Sequence, residues 1–200
     1  MNAFALVPRC VKVASVLAGV MLLLLQPVQA IVVTPDANVS NLVSALVSGA
    51  GISVISATLW YQDDGTGTVL STGTFTNLSG TYGIPAGIVL STGNVAHYSD
   101  GPNTSDNNGT AYGVPATPAQ EALLDPITGG TFDHWDVTQL DLTFTTSTGS
   151  VYFWAVFGSE EYPEFVGSRF VDGFGMYLDG VNIALVGGLP VNTNHPAMAP

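Results

Sequence analysis

From residue 139 to 145 apolar and polar side chains alternate without a break. Leu140, Leu142 and Phe144 fall on one side, and Asp141, Thr143 and Thr145 on the other. Successive side chains of an extended chain point to opposite faces, so a period of two predicts a strand with one face on a core and one on water. Thr148-Gly149 then turns the chain. Residues 151–157 follow as a continuous apolar run, Val-Tyr-Phe-Trp-Ala-Val-Phe. A strand apolar on both faces is predicted to lie centrally in a sheet, covered on each side.

The rest of the chain repeats this grammar of short strands and turns. Residues 52–61 read as a strand whose alternation slips by one position before Leu59 and Tyr61, and Asp63-Asp64-Gly65 is turn chemistry. Residues 69–75 read as its hairpin partner, and residues 88–90 as a short buried strand between Gly87 and Gly93. Residues 173–178 and 182–186 pair across Asp179-Gly180, a favoured two-residue turn. Helical spacing is confined to residues 41–47, with Ser40 or Asn41 as N-cap, and to one or two turns over 118–124. Between them, residues 98–118 form a long polar loop. Lys and Arg number only 3 while Gly numbers 23, and Thr and Val are frequent, which favours strands and turns over helices. The expectation is one all-β domain, a β-sandwich or jelly-roll with one or two short helices.

The amino terminus precedes that domain. Arg9 and Lys12 give a basic start, residues 13–25 an uncharged apolar run, and Val28-Gln29-Ala30 a small-residue ending. This order predicts a secretory signal peptide over residues 1–30, cleaved after Ala30. The 13-residue apolar run is short beside the roughly 20 residues of a spanning helix, so no membrane insertion is expected after cleavage. Cys10 lies before the apolar run, where no lipoprotein carries its lipid, and it leaves with the peptide.

The remaining chain, residues 31–200, is cysteine-free and keeps Arg169 as its one Lys or Arg against all 15 carboxylates. Nucleic acid is a poor partner for such a surface, because phosphate binding needs Lys and Arg. Divalent cations are natural partners.

The densest chemistry follows the apolar run. Glu160, Glu161 and Glu164 lie just beyond it, and Asp172 comes after Arg169. A loop leaving a sheet can fold carboxylates and backbone carbonyls around one point, and Ca²⁺ takes 6–8 oxygen ligands of those kinds. The expected metal ligands are Glu160 or Glu161 with Asp172, completed by Glu164. Two other readings stay open: Arg169 pairs with one of these carboxylates, or a glutamate caps backbone N–H groups. The spacing matches no EF-hand loop. Asp100, Asn103, Asp106, Asn107 and Asn108 form a second oxygen-rich stretch, read as a surface loop. Asp133 and His134 offer metal ligands, though a lone His is more often structural. Trp60, Trp135 and Trp154 are expected in core or edge packing; an exposed Trp135 would be a platform for stacking a sugar. Nothing matches a nucleophile elbow, a phosphate loop or a zinc signature.

Three stretches taken together resemble a known family. They are Gly-Ile-Val-Leu-Ser-Thr-Gly-Asn over residues 87–94, Phe-Gly-Ser-Glu-Glu-Tyr-Pro-Glu-Phe-Val over 157–166, and Asp172-Gly173-Phe174-Gly175 with the strand at 182–186. The second is long and unusual. In these the chain resembles the choice-of-anchor L domain family from about Val39 onward. The resemblance implies a bacterial exported protein, extracellular or at the cell surface, with no established catalytic activity. Such domains usually continue past the strand at 182–186, so truncation at the C-terminus is expected. The resulting expectation is a non-enzymatic domain for display, adhesion or extracellular-matrix association, stabilised by Ca²⁺, whose partner is an extracellular protein or glycan. A carbohydrate-binding module is the alternative. A glycoside hydrolase is the third reading, weakened because neighbours such as Glu160 and Glu161 point apart on a strand.

Overall fold

The computed structural model describes residues 31–47, 49, 51–98, 109–130 and 132–198. The expected leader at 1–30 and the stretch from Asp100 to Asn108 lie outside the described residues. The N-terminal half carries β1 (Val32–Pro35), α1 (Val39–Leu46), β2 (Ile52–Trp60), β3 (Thr72–Thr76) and β4 (Ala86–Leu90). Then come α2 (Pro118–Thr128) and β5 (Gln139–Thr146). Short strands close the chain: β6 (Gly173–Phe174), β7 (Tyr177–Leu178), β8 (Val181–Asn182), β9 (Leu185–Val186) and β10 (Leu189–Asn192). The all-β expectation is borne out. Four small antiparallel sheets carry the described strands, ordered β1-β3-β4, β6-β10-β9, β2-β5 and β7-β8.

The alternating segment at 139–145 is β5, and it pairs along its whole length with β2. Leu140 faces Leu59, Leu142 faces Ala57, and Phe144 faces Val54, so the apolar faces of the two strands coincide. The slip expected in β2 is a register shift between Val54 and Ser56, which leaves Ile55 67% exposed. β3 does not pair with β2, as the hairpin reading had it. Leu70 only bridges Asp63, and β3 lies between β1 and β4. The physical reason is edge satisfaction: β5 occupies β2, while β1 and β4 complete both edges of β3.

Helix α1 starts earlier than expected, because Asn38 is the better cap. Its Oδ1 accepts the N–H groups of Ser40 and Asn41, at 3.0 and 3.2 Å. The helix packs on β3 and β4 and buries Leu42 completely, which stabilises the fold by about 1.5–3 kcal/mol. Helix α2 runs to Thr128, four residues further than its sequence pattern indicated. Thr117 and Gln120 form a reciprocal capping box, Pro118 begins the helix, and Gly129 ends it at a φ of 103°. It rests on β6 and β10, where Asn192 Nδ2 donates to Ile127 O, and from β7 Tyr177 Oη donates to Leu123 O. A Cβ at Gly175 would sit 2.7 Å from Ile127 Cδ1 and 2.9 Å from Tyr177 Cε2, so a larger residue there must displace those side chains.

The turn at Asp179-Gly180 is present, with both residues at positive φ, joining β7 to β8. The longer strands predicted around it break up: β6 and β9 pair with β10 instead.

The largest correction concerns residues 151–157, which form no strand. Their backbone lacks sheet partners among the described residues, and a run apolar on both faces needs two such partners and two covering layers. Val151, Tyr152, Phe153, Ala155 and Phe157 border an apolar cleft of about 430 Å³ with Phe174, Met176, Leu185 and Val191. The run is otherwise open to solvent, with Tyr152 84%, Trp154 82% and Val156 56% exposed. Of the core or edge packing expected for the tryptophans, the core placement is corrected: Trp60, Trp135 and Trp154 are all exposed, and Trp60 ends β2, which pairs only with β5.

Candidate functional site

Two acidic neighbourhoods emerge. The first is the loop after residues 151–157, where Ser159 acts as a hub. Its Oγ donates to Asp172 Oδ2 at 2.6 Å and accepts the Glu161 N–H at 3.1 Å. Thr193, fully buried, holds the far side: its Oγ1 accepts the Asp172 N–H at 3.1 Å, and its own N–H donates to Asp172 O at 2.9 Å. These bonds fix Asp172 beside the start of the acidic run. Burial raises the Glu161 pKa, and the nearby charges of Asp172 and Glu160 raise it further. Of the four predicted ligands, then, Glu160, Glu161 and Asp172 share one electrostatic neighbourhood. Glu160 also reaches Gly109, where a Cβ would lie 3.5 Å from its Oε2. Glu164 is exposed and makes no hydrogen bond among the described residues. Arg169 does not neutralise the group. Its guanidinium lies 5.1 Å from the centre of the Phe170 ring, and Phe170 meets Phe165 edge to face.

The second neighbourhood lies on α2. Glu121 and Asp125, four residues apart, share one helix face. Opposite them runs the segment 134–136, held against 114–116 by a short ladder: Ala116 N–H donates to His134 O and Asp136 N–H to Val114 O. The buried Asp136 carboxylate locks this ladder by accepting the N–H groups of Tyr112 and Val114, at 2.9 and 2.8 Å. His134 thereby meets Glu121. Its backbone N–H donates to Glu121 Oε1 at 2.9 Å, and its Nδ1 lies 2.5 Å from Oε2. The side chains are 10% exposed for His134 and 27% for Glu121. The His134 hydrogen bonds hold the Glu121 carboxyl below the ordinary glutamate range. A cleft of about 510 Å³ opens here, with Pro115, Asp133 and the 54%-exposed Trp135 on its wall.

The sequence offers Asp133 and His134 side by side as metal ligands, with a structural role the commoner one for a lone His. The partner of His134 is Glu121, 13 residues back, brought in by the helix. The signal that could have found it is the i, i+4 spacing of Glu121 and Asp125, legible once α2 is extended past Leu124.

No described helix is long and apolar enough to cross a membrane. No curated protein and no solved structure matches the chain. The family model of the choice-of-anchor L domain matches residues 31–197, a span that holds every described strand, α1, α2 and both acidic neighbourhoods. The chain therefore belongs to the choice-of-anchor L domain family, a family of surface-associated bacterial proteins.

Proposed function

We propose that this is a non-enzymatic, exported domain for surface display, adhesion or extracellular-matrix association, with Ca²⁺ ordering the loop of Glu160, Glu161 and Asp172. One observation carries the adhesive reading. Tyr152, Trp154 and Val156 form an i, i+2, i+4 row that is 84, 82 and 56% exposed. Contiguous exposed apolar surface of this kind marks interaction sites in folded proteins. Its neighbour is the acidic loop, where Glu161 is crowded by Asp172 and Glu160. A hard cation relieves such crowding and takes the oxygen ligands the loop offers, with Glu164 near in sequence to complete the set. The test is attachment of the displayed protein to immobilised matrix proteins, with and without Ca²⁺. The paired change Tyr152→Ser and Trp154→Ser is expected to abolish attachment while leaving the melting temperature unchanged. Undiminished attachment would remove the adhesive reading.

A second reading is favoured by Trp135. An exposed indole beside the carboxylates of Glu121, Asp125 and Asp133 suits a sugar ring, stacked on the aromatic face with its hydroxyls donating to oxygen. A glycan array separates the two: binding lost on Trp135→Ala but kept on Trp154→Ser supports the carbohydrate module.

A further inference from the structure

We infer that Glu121, Asp125 and His134 form a binding site for a first-row transition-metal dication, of which Zn²⁺ is the probe, separate from the acidic loop. One potential ligand atom from each of the three lies within 4.8 Å of the other two, close enough to share one ion. The spacing has a mechanical basis. Side chains four apart on a helix lie side by side one turn apart, so two ligands converge from one element and the third arrives from another segment.

The imidazole decides the class of metal. A nitrogen with two carboxylates suits Zn²⁺ and its neighbours, whereas Ca²⁺ prefers oxygen alone. His134 is also oriented for the task. Thr128 Oγ1 donates to Leu124 O at 3.3 Å, which leaves its lone pairs as acceptors for His134 Nε2, 2.8 Å away. Nδ1–H donates to Glu121 Oε2, so a metal ion would take that proton's place while Nε2–H stays on Thr128, and such an outer hydrogen bond is what fixes a metal-binding histidine. Two further oxygens on the cleft wall are open to an ion or to water. The Asp125 carboxylate, on the cleft wall, makes no hydrogen bond among the described residues. Pro126 has no N–H, so the carbonyl of Ala122, another cleft residue, loses its donor one helical turn on. The cleft itself gives an ion access to the three ligands.

The test is calorimetric titration of the protein with ZnCl₂ and, separately, CaCl₂. One Zn²⁺ per chain is expected at this site. Asp125→Asn, which keeps the side-chain shape, and His134→Ala should each weaken it about tenfold or more, since outer hydrogen bonds alone carry 10- to 100-fold. Glu161→Gln should leave it unchanged. Nitrogen NMR of His134 should show Zn²⁺ on Nδ1 with the proton on Nε2. Absence of Zn²⁺ binding overturns the assignment. So does an affinity unmoved by Asp125→Asn, or one lost on Glu161→Gln.

Discussion

Glu121 and Glu161 are the same residue in opposite situations. Glu121 faces an imidazole and a backbone N–H, and its pKa falls. Glu161 faces burial, Asp172 and Glu160, and its pKa rises. Placement relative to donors decides the sign, and Arg169, the one Lys or Arg among the described residues, lies over an aromatic ring instead. The sign reaches stability. Glu121, with its pKa lowered on folding, stabilises the fold above the ordinary glutamate range, and that contribution is lost as pH falls through its folded pKa. Glu161, with its pKa raised, favours folding below the ordinary range, and that contribution is lost as pH rises through its folded pKa.

The contrast breaks most completely if the ladder presenting His134 is removed. Asp136→Ala strands two N–H donors at a buried site and should destabilise the protein by about 3 kcal/mol in urea unfolding. It should also lower Zn²⁺ affinity; an intact affinity would mean that the ladder does not position His134. His134→Ala removes the pair together with the bond to Thr128 and should cost about 1–2 kcal/mol at pH 7, with a smaller loss at a pH low enough to protonate Glu121. Glu161→Gln sharpens the other side. It should stabilise by about 0.5 kcal/mol at pH 7, because relief of crowding at a partly exposed group is screened, and the gain should fade as pH falls into the glutamate range. A destabilised Glu161→Gln protein at pH 7 would contradict the crowding. The smallest effect is a reference point elsewhere. Asp64, held down to about 2 chiefly by Thr66 Oγ1, should titrate closer to the ordinary aspartate value in Thr66→Val, read by carboxyl NMR.

What the sequence revealed follows the same division between local and distant partners. β5 was legible because seven alternating residues state their own face, and the Asp179-Gly180 turn because two residues suffice for it. The extent of α2 was hidden by Pro126, which reads as a stop although the helix continues to Thr128. The partner of β3 was hidden because β1, only four residues long, carries little pattern of its own. Residues 151–157 misled for a different reason: apolarity on both faces reports a demand for cover, and the described residues leave most of that demand unmet. Among the site residues, the acidic run was visible as four carboxylates within 13 positions, and three of them do share a neighbourhood. The group of Glu121, Asp125 and His134 was not, since a helix and a buried clasp at Asp136 are needed to close the distance.

If the two acidic neighbourhoods take cations of different chemistry, as proposed, backbone NMR with each ion in turn separates them. Ca²⁺ should shift resonances from 159 to 172 and at Thr193, leaving 121–134 still, and Zn²⁺ should do the reverse. Both ions moving the same residues, or neither moving any, would contradict that proposal.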